Sequence, residues 1–208
     1  MSPLRYVLSS ERPALLKTTC ITFAITCTAY VGHVYLNVHL TTELGQPETL
    51  SLTLNSVLTV GVALLMPLAA YASDQWGRRR VFGLAMVGYV VLTLPMFLLM
   101  AVQNAFVLGL AIAVSFVPWV FAQAIGYPLL TELFSGTARY TGVAFGFGIG
   151  AILGGGFGPY VANWLTDATG WSLAPALYMV AAAVSGVVAL RSVGASRIDD
   201  PEGDDDSE

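Results

Sequence analysis

Six stretches of this chain contain no Asp, Glu, Lys or Arg: residues 18–40, 51–72, 81–102, 105–130, 140–165 and 173–190. Uncharged runs this long constrain the fold more than any other feature. A helix needs roughly 20 residues to cross about 30 Å of hydrocarbon, and 173–190 lies at the lower end of that range. Strands of a transmembrane barrel would alternate in polarity, whereas these runs are apolar on every face. At 56% hydrophobic and 11% charged, with mean hydropathy +0.71, the chain has too few polar residues to clothe a soluble globule. The expectation is an all-α integral membrane protein, a bundle of six transmembrane helices. It divides into an N-terminal segment (1–17), a six-helix membrane domain (18–190) and a disordered acidic tail (191–208).

The first run is too long for the apolar core of a cleavable signal. Cys20 and Cys27 both lie inside it, at a spacing that fits neither a disulfide framework nor a zinc site, so they read as buried thiols. No metal or cofactor is expected, and no nucleic-acid partner.

Connecting segments sort by charge. All nine basic residues fall on one side of the membrane: Arg5, Arg12, Lys17, Arg78, Arg79, Arg80, Arg139, Arg191 and Arg197. The positive-inside rule places that side, and both termini, in the cytoplasm. The expected location is the cell (plasma or inner) membrane.

At 100° per residue, one face of the first span collects Thr22, Thr26, Tyr30, His33 and Asn37 within about 80° of arc. This stripe reads as the wall of a polar cavity, with interhelical hydrogen bonding as the alternative. Fainter stripes follow in the second span (Ser51, Asn55, Thr59) and the fourth (Ser115, Trp119, Gln123, Tyr127). Spans one, two and four therefore read as interior, three and six as peripheral. His33 is the one deep candidate for proton coupling, with a hydrogen bond to a neighbouring helix as the alternative reading. In the fifth span Gly142, Gly146, Gly150, Gly154 and Gly158 recur at every fourth position, a spacing that lets another helix backbone approach closely.

The turn after the second span carries a further pattern. Ala70-Tyr71-Ala72-Ser73-Asp74-Gln75-Trp76-Gly77-Arg78-Arg79-Arg80 resembles the signature that follows the second helix of each six-helix half in the major facilitator superfamily, with Asp74, Gly77, Arg78 and Arg79 matching. Glu132-Leu133-Phe134-Ser135-Gly136-Thr137-Ala138-Arg139-Tyr140-Thr141-Gly142 is similar to a stretch of that superfamily's metabolite:proton symporter group, with Ser135 standing where the group has proline. The group includes transporters for proline/betaine, α-ketoglutarate and shikimate. The resemblance spans residues 7–190 and matches the C-terminal half, helices seven to twelve, of such transporters.

What the resemblance implies is a non-enzymatic secondary transporter, half-length or truncated, that moves a small organic acid or zwitterionic metabolite with protons by alternating access. A non-transporting membrane scaffold or regulatory subunit of the same fold is the alternative. Partners would be the solute, membrane lipid, and an N-terminal transporter half or a second copy. The turn is expected to act as a gating latch, Arg78 pairing with Asp74 four residues earlier and with a helix C-terminus. A pure topology determinant is the competing role.

Overall fold

The structure, a computed structural model, describes residues 3–32, 38–43, 45–100, 104–136 and 138–192. The described residues form helices: α1 (Pro3–Ser10), α2 (Arg12–Tyr30), α3 (Glu48–Trp76), α4 (Arg78–Met100), α5 (Ala105–Thr131), α6 (Arg139–Ala151), α7 (Gly158–Thr169) and α8 (Ala174–Arg191). Two single π-helical turns, His39–Glu43 and Ile152–Gly156, complete the set. Among the described residues five segments are long and apolar enough to cross a membrane: α3, α4, α5, α8 and the continuous 31-residue unit Arg139–Thr169. α2 is less apolar, because Lys17 and the threonines at 18, 19, 22, 26 and 28 dilute its hydrophobic residues.

Local chemistry sets several boundaries. The Asn104 side chain accepts the backbone N–H groups of Phe106 (2.9 Å) and Val107 (3.3 Å), an N-cap that starts α5. Gly170, at φ 63° and ψ 13°, closes α7 in the left-handed conformation that glycine adopts at no steric cost. Between α6 and α7 the Phe157 N–H reaches back to Ile152 O at 2.9 Å, one residue further than in an α-helix. Pro159 lacks the N–H that an unbroken α-helix would direct at Gly155, and three consecutive glycines make the wider turn inexpensive.

α2 lies at the centre, packed against α5, α6 and α8, while α4 packs on α5 and α8. α3 leans mainly on α5. Burial therefore divides the helices differently from polarity. Half of the most apolar window of α8, and 44% of that of α4, is buried, against 11% for α3. The expectation that spans three and six are peripheral is corrected within this chain: α8 packs on α2, and its Ala176, Ala182, Ala183 and Gly186 are all buried. A Cβ on Gly186 would come 2.8 Å from that of Ala24. In a chain this apolar, small side chains mark the helix that packs closest, and polarity says little about it.

Candidate functional site

The glycine stripe and the threonine stripe meet each other. An added Cβ on Gly146 would lie 2.7 Å from the Thr18 methyl, on Gly150 2.7 Å from the Thr19 carbonyl oxygen, and on Gly154 2.7 Å from the Cys27 nitrogen. These distances are shorter than real Cβ atoms keep, so α6 rides directly on the backbone of α2. Thr26 Oγ1 donates within its own helix to Thr22 O (2.7 Å) and lies 3.2 Å from Gly150 O across the interface. Thr22 is fully buried, and its hydroxyl oxygen has no hydrogen-bond partner among the described residues. Both threonines thus face a neighbouring helix rather than open space. Gly142 packs on the Phe134 ring and Gly158 on Val31.

Tyr30, half exposed, lies against Gly155. His33 and Asn37 fall outside the described residues. Asn55 borders a small cavity shared with Ser51, Leu54 and Leu58 of α3 and with Ile112 and Phe116 of α5. Thr59 is exposed, its hydroxyl donating to Asn55 O at 2.8 Å. Trp119 borders a second cavity, with Thr28, Tyr89, Ser115 and Phe116. Gln123 is buried one turn further along α5. The structure therefore brings Asn55 and Trp119 to two cavities that share Phe116, and separates both from Thr22 and Thr26. Phe116 carried no signal of its own in the sequence; it sits one residue off the Ser115–Trp119 stripe. Among the described residues no three His, Cys, Asp or Glu side chains converge as a metal site would need.

At the basic end the turn is built as a sharp reversal. Gly77, at φ 84° and ψ 135°, donates its N–H to Ser73 O at 3.0 Å. A side chain at that φ would be strained. Arg78 does not pair with Asp74. Its guanidinium forms an ion pair with Glu132, just past the C-terminus of α5. The pairing expected from i, i+4 spacing is lost because Asp74 ends α3 while Arg78 opens α4, with the Gly77 bend between them. Asp74 is exposed, and Arg79 half-buried. Close by in sequence to Glu132, Ser135 Oγ donates to Glu11 Oε1 at 2.9 Å. Lys17 Nζ donates to Ser192 O at 2.8 Å, satisfying a carbonyl at the end of α8.

Three curated proteins illustrate what the chain is similar to. The ectoine/proline transporter ProP of Corynebacterium glutamicum is 29% identical over 181 residues, covering 86% of this chain and 36% of that protein. The shikimate transporter of Escherichia coli is 27% identical over 153 residues, covering 72% and 34% respectively. A putative proline/betaine transporter of Staphylococcus haemolyticus is 31% identical over 174 residues, covering 77% and 37%. The chain thus spans about a third of the length of the curated relatives it matches. No solved structure matches it. The family profile described as Major Facilitator Superfamily matches residues 18–206, and with its long apolar helices this multi-pass membrane protein belongs to that superfamily.

Proposed function

We propose that this chain forms one wall of a secondary transporter, rather than an enzyme, and that it moves a small organic acid or zwitterionic metabolite together with protons by alternating access. The observation that carries the reading is the match of nearly the whole chain to solute transporters. The second wall is a further six-helix unit, covalently joined or separate, against which this one rocks. The exposed flank of α3 and the half-exposed Tyr30 are available for that contact.

In this reading the end bearing Arg78, Arg79 and Arg80 faces the cytoplasm of a cell-membrane protein. The turn is the latch, and it works by two contacts. Arg78 ties α4 to the end of α5 through Glu132, and Asp74, exposed on α3, meets the other wall.

Uptake by sealed vesicles containing the assembly tests this, with radiolabelled proline, betaine and shikimate and an imposed inward proton gradient. Accumulation above control vesicles, abolished by a protonophore, is the expected result. Accumulation indifferent to the gradient removes the proton coupling. Binding without accumulation makes the chain a non-transporting scaffold.

A further inference from the structure

Contacts across the bundle gather one sign of charge at one end. Arg78, at the start of α4, pairs with Glu132 past the end of α5. Ser135 donates to Glu11 at the start of α2, and Lys17 to the Ser192 carbonyl at the end of α8. Gly146, Gly150 and Gly154 lie in turn against Thr18, Thr22 and Thr26, so α6 runs parallel to α2. A Cβ on Gly83, in the second turn of α4, would lie 3.2 Å from Leu190 Cδ2, which sets the arginines of the turn level with the end of α8. The eight basic residues before position 192 therefore share this end with three acidic ones, Glu11, Asp74 and Glu132, leaving a net charge of +5.

That charge is poorly compensated. Glu132 is engaged by Arg78 and Glu11 is buried under Ser135. Arg5, Arg80, Arg139 and Arg191 are exposed and form no ion pair among the described residues. Residues 193–208, which lie outside the described residues, carry seven acidic side chains against one basic, Arg197, a net charge of −6. They follow directly on Ser192, at the same end. At about 3.3–3.6 Å per residue, the seven steps from Ser192 to Asp199 span up to about 25 Å. A helix with its side chains is about 10–12 Å across, so the acidic residues reach the starts of α4 and α2. Tethering gives such a segment an effective concentration on the order of millimolar.

We propose that the acidic segment Asp199–Glu208 docks across the arginines at this end as an intramolecular counter-ion, held by Arg79, Arg80 and Arg191. The contact is a set of exposed ion pairs, each weak, so it is labile to salt. It goes beyond the transporter reading and does not depend on it.

The test is cleavage after Glu202 by a glutamate-specific protease. The substrate is the purified 208-residue chain in phosphatidylcholine nanodiscs, and the reference is a free peptide of residues 191–208 cleaved under the same conditions. At low salt the chain is expected to be cut at least fivefold more slowly than the peptide. At about 1 M salt, where the Debye length is about 3 Å, the two rates should agree within twofold. Steric shielding by the nanodisc would not respond to salt. The triple variant Arg79→Gln/Arg80→Gln/Arg191→Gln should lose the difference at low salt. Should that variant not insert, Asp204→Asn/Asp205→Asn/Asp206→Asn, measured against its own peptide, breaks the same contact from the other side. Equal rates in wild type at low salt overturn the proposal, as does a difference that survives high salt or both variants. The difference is expected to persist when phosphatidylglycerol is added to the nanodiscs. Its loss there would assign the basic face to anionic lipid and overturn docking of the tail.

Discussion

Gly150→Ala is the sharpest test of how this bundle is held together. The new Cβ would sit 2.6 Å from Thr22 Cβ, 2.7 Å from Thr19 O and 2.9 Å from Phe23 N. Two of those three atoms are backbone, so no rotamer change relieves them. Ordinary contact for a Cβ begins at 3.4 Å, which means α6 must back away from α2 by about 0.8 Å, the difference between that and the shortest contact. A gap of about 0.5–1 Å forfeits a quarter to a half of the dispersion attraction along the seam, and overpacking of this kind costs about 1–3 kcal/mol. Alanine returns up to about 1 kcal/mol through helix propensity. The expected net loss is about 1–2 kcal/mol.

Gly148 supplies the matched control, two residues away on the same helix and with nothing within 4 Å of an added Cβ. Gly148→Ala should be stabilising by up to about 1 kcal/mol on propensity alone. The two variants therefore separate by about 1–3 kcal/mol although they make the same chemical change. Unfolding in mixed SDS and dodecyl maltoside micelles, followed by far-UV circular dichroism, measures both. If Gly150→Ala unfolds at the same SDS fraction as Gly148→Ala or higher, close backbone approach is not what joins α2 to α6.

Three further pairs of outcomes are expected. Thr22→Val should match or exceed wild-type stability by up to about 1 kcal/mol, because it removes a buried hydroxyl oxygen without a partner. Thr26→Val, which breaks bonds to Thr22 O and Gly150 O, should cost about 0.6–1.7 kcal/mol in the same unfolding assay. Gly77→Ala should cost about 1–3 kcal/mol, because φ 84° with ψ 135° is strained for an L-residue. Gly170→Asn, at the left-handed φ 63° and ψ 13° that asparagine tolerates, should cost much less. A double-mutant cycle between Arg78→Gln and Glu132→Gln should give a coupling of about 0.5–1 kcal/mol, small because the arginine side chain is 44% exposed. A cycle of Arg78→Gln with Asp74→Asn should give none.

Much of the architecture could be read before the coordinates. Runs without charge mark helices because hydrocarbon tolerates little else, and the glycine spacing of the fifth span reports a close-packed face whatever its partner. What spacing could not say is which helix fills that groove. The partner is α2, and its threonine stripe and the glycine stripe are two sides of one seam. A polar stripe has the same periodicity whether it faces water or another backbone, so Thr22 and Thr26 could not be told apart from Asn55 in one dimension. Arg78 shows a different limit. The i, i+4 rule holds along a continuous helix, and the reversal at Gly77 breaks it, so the partner comes from 54 residues away.

The pairing of Arg78 changes what the charged turn can do. A salt bridge between Asp74 and Arg78 would have spanned only the bend between α3 and α4, and its making or breaking could alter little beyond that bend. The observed pair joins the start of α4 to the end of α5, two helices already packed along their length, so it braces one unit and is insensitive to how that unit tilts. Ser135 on Glu11 and Lys17 on Ser192 O act in the same way, tying α1, α2 and α8 to the same end. In the proposed transporter, a contact that changes between access states would come from a group left outside this bracing. Asp74 is exposed and forms no ion pair among the described residues, and it sits on α3, the least buried of the long apolar helices. In the proposed transporter a carboxylate so placed would exchange partners with the other wall as the helix tilts. In the proposed transporter the turn would be two devices in eight residues, an internal brace through Arg78 and an outward contact through Asp74, with Gly77 as the bend between them.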